Sequence, residues 1–233
     1  MQKLEIGEHW QVHIGPLQIH MDTMIMAWLS MILLIVLSFA VTRNLNRIPD
    51  KIQTFAEMVM EFIESIAVGQ IGVQGYKHIT LIGSLFLFIL VANLIGQLPW
   101  GFFRLPHGEL ASPTNDLNVT AGLALLVTAY YLFFGISKKG LKFFKHHYLE
   151  PVWFMAPLNF LEDFIRPLTL SLRLFGNIIA GEVLILVLLG FFPLFLPVPM
   201  MLFEIFIAFI QAFIFAILSA SYIAAAIADH NET

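Results

Sequence analysis

Five long apolar stretches constrain the fold of this chain more than any other feature of its sequence. Each has at least about the 20 residues that an α-helix needs to cross a bilayer, and two are much longer. Hydrophobic residues make up 59% of the chain and charged residues only 12%, which is roughly half the charged fraction of a soluble domain. The sequence therefore predicts membrane helices over residues 21–41, 79–100, 117–136, 153–192 and 194–228.

The fold class follows from the behaviour of the backbone in lipid. Backbone polar groups find no partners in the hydrocarbon, so apolar runs of this length form helices, and the regular alternation of an outer-membrane β-barrel is missing. We predict an all-α integral membrane fold in one polytopic domain, residues 1–233, with residues 1–20 as an outer N-terminal segment. Between residues 49 and 68, apolar residues recur at helical spacing among charged ones. This indicates an amphipathic helix at the cytoplasmic surface of the membrane, or alternatively a docked cytoplasmic helix that touches no lipid.

Lysine and arginine residues flank the predicted helices unevenly. Basic residues follow the first helix at Arg43, Arg47 and Lys51, and four lysines follow the third helix in the segment 138–145. The segment between the second and third helices contains a single basic residue. Under the positive-inside rule the two basic segments are cytoplasmic. The N-terminus is then outside, and five crossings put residues 229–233 in the cytoplasm.

Arg173 is the most informative residue of the fourth apolar run. Its guanidinium stays protonated in any protein environment, and a charge at bilayer depth costs about 2.5–3.5 kcal/mol, so it needs a carboxylate, a water-filled cavity or both. Apolar sequence continues on both sides of Arg173, which disfavours the alternative of snorkelling to the interface. On a helix of about 100° per residue, four polar residues share its face: Glu162, Arg166, Thr169 and Asn177.

Two glutamates and a glutamine lie within the last two apolar runs. Glu182 follows Arg173 by nine residues and is therefore on the opposite face of that helix, whereas Glu204 and Gln211 share one face of the last helix. A carboxylate in an apolar site can be neutralised by protonation. Together with Asn177, these residues could relay protons, or they could form a purely structural hydrogen-bonded set between helices.

Several classes of function are excluded by the composition. The chain has no cysteine, and therefore no disulfide, iron–sulfur cluster or zinc–thiolate site. Its eight histidines fall in predicted loops, tails and helix edges, which argues against haem ligation. Neither a Gly-rich phosphate loop nor a Ser/His/Asp set is present, and a net charge of −4 without a basic patch argues against nucleic-acid binding. We expect no cofactor, no metal site and no bond-making chemistry in this chain.

Two motifs resemble the signature of one family. The arginine and glutamine motifs of subunit a of rotary F-type ATP synthases resemble two segments of this chain, residues 169–182 (TLSLRLFGNIIAGE) and residues 209–215 (FIQAFIF). The segments 49–62, 91–96 and 112–116 extend the similarity. The resemblance implies a stator channel of two offset half-channels beside a rotating ring of c subunits. It also implies that the last two helices are strongly tilted and curve around that ring.

The resemblance also implies roles for individual residues. Arg173 matches the essential arginine, which draws the proton from an arriving ring carboxylate and blocks a leak between the half-channels. Some members carry a histidine at the place of Glu204, which leaves open which glutamate relays the ion. By the same resemblance, the outer half-channel and its junction would contain Glu182, Glu204, Gln211 and Asn177, and the inner one Thr169, Glu162 and Asp163.

The sequence thus leads us to expect an ion-translocating subunit in the inner (plasma) membrane of a bacterium, in preference to a thylakoid or mitochondrial membrane. Its expected partners are the c ring, the peripheral-stalk b subunits, the lipid bilayer, and protons or sodium ions. The alternative is a self-contained proton-coupled secondary transporter. The missing internal repeats and the missing midplane substrate site disfavour that alternative, and purification would separate the two, because a transporter is isolated alone.

Overall fold

The computed structural model describes residues 11–14, 17–43, 45–97, 112–140, 156–191 and 197–228. Within these ranges a β-hairpin comes first, with strands β1 (Gln11–Ile14) and β2 (Leu17–His20). The helices are α1 (Met21–Thr42), α2 (Lys51–Ile71), α3 (Ile79–Gly96), α4 (Leu117–Lys139), α5 (Ala156–Phe191) and α6 (Pro197–Ile227). Two 3₁₀ segments, Gly72–Lys77 and Pro113–Asn115, precede α3 and α4.

The fold class predicted from the sequence is confirmed. Five of the described helices are long and apolar enough to span a membrane, namely α1, α3, α4, α5 and α6, and α2 is the additional amphipathic helix. Helix α5 has 36 residues and α6 has 31, whereas a straight crossing needs about 20. These lengths suit tilted helices, and the tilt itself stays a prediction.

The observed helix ends differ from the predicted ones by a few residues, for identifiable reasons. Helix α2 begins at Lys51 rather than at residue 49, because Asp50 has the extended backbone of an N-cap residue. It ends where Gly72 adopts a φ of 75°, a conformation that favours glycine. Helix α4 continues past residue 136 to Lys139, since basic side chains stabilise a helix C-terminus. The predicted ends 98–100, 153–155 and 194–196, and the C-terminal residues 229–233, lie outside the described residues.

The β-hairpin is the part of the fold that sequence reasoning missed. Its antiparallel register pairs Val12 with Ile19 and Ile14 with Leu17, so apolar positions oppose apolar positions along the ladder. The sequences QVHI and LQIH alternate with the period of two that is typical of a strand, and this signal could have identified the hairpin. It leads directly into α1 and therefore lies at the N-terminal end of that helix.

Helix α3 occupies the centre of the bundle and contacts α1, α2 and α6. Its Phe86 is buried and packs on Phe62 of α2, with ring centroids 5.6 Å apart. Helix α6 buries a stripe of small residues at a spacing of four: Ala208, Ala212, Ala216 and Ala220. Small residues at this spacing let membrane helices approach closely. Helix α5 packs at the side of this core, against α4 and α6.

Candidate functional site

Helix α5 carries most of the predicted site residues, and only one of its faces is buried. Leu170 and Leu174 are buried in the bundle, whereas Thr169 and Asn177 are exposed, and Arg173 is half-buried between the two faces. The polar stripe around Arg173 therefore follows the border of the bundle. Another chain or lipid can reach it there.

Within the part of the chain that the structure describes, Arg173 makes no ion pair with a carboxylate. One turn later on α5, Asn177 donates from Nδ2 to Oε1 of Gln211, at 2.7 Å. Gln211 is buried on α6, with 3% of its surface exposed. This amide pair joins α5 to α6 one helical turn away from the arginine.

Glu204 is buried on α6 against Gly181 of α5. A Cβ atom on Gly181 would collide with the carboxylate of Glu204, and it would lie 3.0 Å from Cδ, so the close approach depends on the glycine. Oε1 of Glu204 is buried and has no hydrogen-bond partner among the described residues. Burying such an oxygen is costly unless it takes up a proton or a water molecule, which suits a group that handles protons.

Glu182 directly follows Gly181, so the two glutamates are neighbours at the contact of α5 with α6. Asn115 donates from Nδ2 to Oε2 of Glu182, at 2.7 Å. The 3₁₀ segment before α4 positions Asn115, and Asp116 caps α4 by accepting from the backbone N–H of Asn118, at 2.8 Å. Polar side chains thus connect the start of α4 with the contact of α5 and α6.

Helix α1 and strand β2 extend this polar set. Nδ1 of His20 lies 2.9 Å from Oδ2 of Asp116, and Oγ1 of Thr23 donates to the same oxygen at 3.4 Å. Asp116 is buried, with 8% of its surface exposed. Sequence reasoning missed His20, because no local signal shows that the end of β2 meets a segment more than 90 residues away.

A second charged group joins α4, α5 and α6 closer to the start of α5. The Nη2 atom of Arg166 lies 2.7 Å from Oε1 of Glu162, and its Nη1 atom lies 3.5 Å from Oδ1 of Asp163. Asp163 also accepts from the hydroxyl of Tyr131 at 3.1 Å, and the guanidinium of Arg166 lies 5.1 Å from the ring centre of Tyr222. The spacing of four between Glu162 and Arg166 could have revealed their ion pair, whereas the contact with Tyr131 has no local signal.

The predicted site residues therefore fall into two groups. The first, at the contact of α5 with α6, contains Glu182, Glu204, Asn177 and Gln211. The second surrounds Arg166, and Arg173 lies between the groups on α5, seven residues after Arg166. Carboxylates in such groups can pass protons through hydrogen bonds or bridging water, so the arrangement can hold protons at two separate places along α5.

Comparison with known proteins identifies the family. The profile of the family described as "ATP synthase A chain" matches residues 24–224 of this chain. The chain belongs to this family. ATP synthase subunit a of Gloeobacter violaceus is 45% identical to it over 230 residues, which are 98% of this chain and 93% of the relative. The family resemblance recognised in the sequence is confirmed.

Membership of the ATP synthase A chain family, together with the five spanning helices, assigns the chain to the membrane sector of an ATP synthase. It therefore takes part in ATP synthesis and proton transport, and other subunits of the membrane sector are its partners. The alternative of a self-contained transporter loses its support, because a relative that covers almost the whole chain is a subunit of a complex.

Proposed function

We propose that this chain is the stator channel of the synthase, with two offset half-channels that load and unload protons on the carboxylates of a c ring. The position of Arg173 carries this proposal. It is a permanent cation on a spanning helix, half-buried at the border of the bundle and without an ion-pair partner among the described residues. A cation in that position needs a counter-charge. A carboxylate on a neighbouring, moving chain would supply one.

The outer half-channel would follow the first group of site residues. Glu182 would take up the proton near the start of α4, where Asn115 orients its carboxylate. Glu204 would then relay the proton past Gly181 toward the Asn177–Gln211 pair and the ring. We assign the principal relay to Glu204, because its buried Oε1 has no hydrogen-bond partner among the described residues.

Arg173 would act as the fixed charge between the half-channels. A carboxylate about 4 Å from a guanidinium gains about 4 kcal/mol of attraction at an effective dielectric constant of 20. That attraction favours release of the proton from an arriving ring carboxylate. The same positive charge repels a proton that moves directly from one half-channel to the other, so transport is possible only with rotation of the ring.

The inner half-channel would pass Thr169, Glu162 and Asp163. Thr169 is exposed on α5 one turn before Arg173, and its hydroxyl can accept and donate a hydrogen bond. Glu162 and Asp163 would receive the released proton, while Arg166 keeps both carboxylates in place. The proton would leave near the start of α5.

Two exposed apolar surfaces support the c ring and the b subunits as partners. The exposed face of α5, which includes Leu168 and Leu172, would face the c ring. The exposed apolar side chains of α2, Ile52, Phe55 and Met58, would face the peripheral-stalk b subunits or lipid. Exposed apolar surfaces of this kind mark contacts with protein or lipid.

We place the chain in the inner membrane of a bacterium, with its N-terminus outside and its C-terminus in the cytoplasm. The distribution of charge at one end of the bundle supports this orientation. Arg43 follows α1, and Lys138 and Lys139 end α4, so the basic residues of two helices lie at the same end, as the positive-inside rule expects of a cytoplasmic face.

The test is ATP-driven acidification of inverted membrane vesicles that carry Arg173→Ala, with assembly of the complex verified by immunoblotting. We expect the complex to assemble and acidification to be lost. The control is Arg47→Ala, which removes an exposed arginine between α1 and α2 and should leave acidification unchanged. Acidification at a nearly normal rate in the Arg173→Ala vesicles would show that this residue is not the functional charge and would overturn the proposal.

A further inference from the structure

Two adjacent tyrosines of α4 have different surroundings. Tyr131 is fully buried, its hydroxyl donates to Oδ1 of Asp163 at 3.1 Å, and its ring centroid lies 6.2 Å from that of Tyr222. Tyr130 is half-buried, and its hydroxyl lies 3.0 Å from Nδ1 of His78, directly before α3. Successive side chains of a helix point about 100° apart, so the two hydroxyls meet different parts of the bundle. Of the two, Tyr131 is the one that reaches a carboxylate of the candidate site.

Two described groups approach the same oxygen of Asp163, and they approach it unequally. The hydroxyl of Tyr131 is 3.1 Å from Oδ1, whereas Nη1 of Arg166 is 3.5 Å away and makes no hydrogen bond with a described residue. The guanidinium of Arg166 is closer to Glu162, with Nη2 2.7 Å from Oε1. Arg166 therefore gives its shorter bond to Glu162, and Tyr131 gives the shorter of these two contacts to Asp163.

The burial of Tyr131 decides which role its hydroxyl can have. None of its surface is exposed, so water outside the bundle does not reach the side chain. A phenol keeps its proton at neutral pH, and this hydroxyl therefore acts as a hydrogen-bond donor. Hydrogen bonds to a carboxylate are short and about twice as strong as those between neutral groups. The contact can hold the carboxylate of Asp163 in one orientation.

We propose that Tyr131 is a positioning residue of the inner half-channel, and that its hydroxyl fixes the carboxylate of Asp163 for proton transfer. This inference rests on the proposed function, in which Asp163 and Glu162 carry the proton between Arg173 and the cytoplasm. Without the hydroxyl, the neighbouring charge of Arg166 would draw Oδ1 of Asp163 toward itself. The two carboxylates would then compete for one guanidinium, and both would leave the positions that suit transfer.

The first test is Tyr131→Phe, which removes the hydroxyl and keeps the ring. The measurement is ATP-driven acidification per assembled complex in inverted vesicles, where the inner half-channel opens to the medium. At alkaline medium pH we expect a rate about tenfold lower, the factor that corresponds to losing a hydrogen bond to a charged group. At neutral medium pH the loss should be smaller, because a higher proton concentration offsets slow entry. The control Tyr130→Phe loses a hydroxyl from the same helix and should keep the wild-type rate at both.

A double-mutant cycle determines whether Tyr131 acts through Asp163. Asp163→Asn should by itself slow acidification. If the hydroxyl works by positioning the carboxylate, Tyr131→Phe combined with Asp163→Asn should be no slower than Asp163→Asn alone. A residue needed for packing would instead slow both backgrounds by the same factor. If Tyr131→Phe does not assemble, the double variant should assemble, because the carboxylate that lost its donor is gone, and its rate should equal that of Asp163→Asn.

Arg173→Ala, measured in the same vesicles, separates this inference from the proposed function. If Arg173→Ala abolishes acidification and Tyr131→Phe matches the wild type at both medium pH values, the inference about Tyr131 is wrong and the stator channel stands. A loss in Tyr131→Phe that does not depend on medium pH, or that multiplies with the loss in Asp163→Asn, would overturn the inference. So would a wild-type rate in Asp163→Asn, or failure of both Tyr131 variants to assemble, because Tyr131 would then be a packing residue. Normal acidification in Arg173→Ala would overturn the proposed function and this inference with it.

Discussion

The most apolar windows of helices α3 and α5 are almost equally apolar, yet they have opposite surroundings. In α3, 44% of the most apolar window is buried inside this chain, whereas in α5 the fraction is 6%. Lipid tails are as apolar as leucine, so hydropathy cannot tell a helix that faces protein from one that faces lipid or a partner. The difference is instead visible in the polar residues that each helix carries.

The buried polar residue of α3 is neutral and makes a hydrogen bond inside the chain. Asn93 is fully buried, and its Oδ1 accepts from the hydroxyl of Thr114 at 2.7 Å, whereas its Nδ2 has no hydrogen-bond partner among the described residues. In α5, by contrast, Arg173 lies at the border of the bundle and makes no ion pair with a described carboxylate. A neutral amide that is hydrogen-bonded inside the chain is structural, whereas a permanent charge without a counter-charge in the chain points to a partner or to transport.

Apart from Arg173→Ala, the largest effect is expected at Glu204 of α6, whose carboxylate lies against Gly181 of α5. We predict that Glu204→Gln lowers the rate of ATP-driven acidification by about 100-fold. The amide keeps the packing but cannot carry a proton, and proton transfer by a positioned side chain typically contributes that factor. The amount of assembled complex should not change. The measurement is acidification per assembled complex in inverted vesicles.

Glu61→Gln is the matched control for Glu204→Gln, since Glu61 is an exposed glutamate on α2. It should acidify at the wild-type rate. Unchanged acidification in Glu204→Gln would remove Glu204 from the proton path and would make this carboxylate structural, like the buried amide of Asn93.

A smaller effect is expected at Gly181. Gly181→Leu places side-chain atoms where the carboxylate of Glu204 lies. Overpacking of this kind costs about 1–3 kcal/mol. We therefore predict a loss of about tenfold in assembly or acidification. Gly190→Leu is the control, because a Cβ at Gly190 meets no atom within 4 Å in the described structure. Equal effects of the two substitutions would show that the contact of Gly181 with Glu204 does not matter.

The bilayer explains why most of the fold could be predicted. Its thickness fixes the length of an apolar run, so the five spans and their order were readable before any contact was known. The alternation of β1 and β2 was present in the sequence, but a period of two over so few residues is a weak signal beside apolar runs of membrane length. The four-residue strands of this hairpin are short beside a membrane helix.

The candidate site was only partly predictable, because its residues are joined by long-range contacts. The stripe around Arg173 follows from helix geometry alone, and so does the pair Glu204 and Gln211. The bond from Asn115 to Glu182 joins residues 67 positions apart, and no periodicity encodes it. The tilt of α5 and α6 depends on partners outside this chain, so it stays a prediction.

The smallest effect on transport is expected from a pair of phenylalanines that tests the comparison of α3 with α5 directly. Phe86 of α3 is 2% exposed and Phe164 of α5 is 68% exposed. Phe86→Ala should destabilise the complex by about 3–5 kcal/mol, because a cavity remains in the core, and Phe164→Ala should cost much less. Both variants should acidify vesicles at nearly the wild-type rate per assembled complex, since neither side chain carries a proton. The measurement is thermal denaturation of the purified complex, monitored through the loss of this chain from the complex. If Phe164→Ala destabilises the complex as much as Phe86→Ala, then the exposed face of α5 is packed against a partner as tightly as α3 is packed in the core.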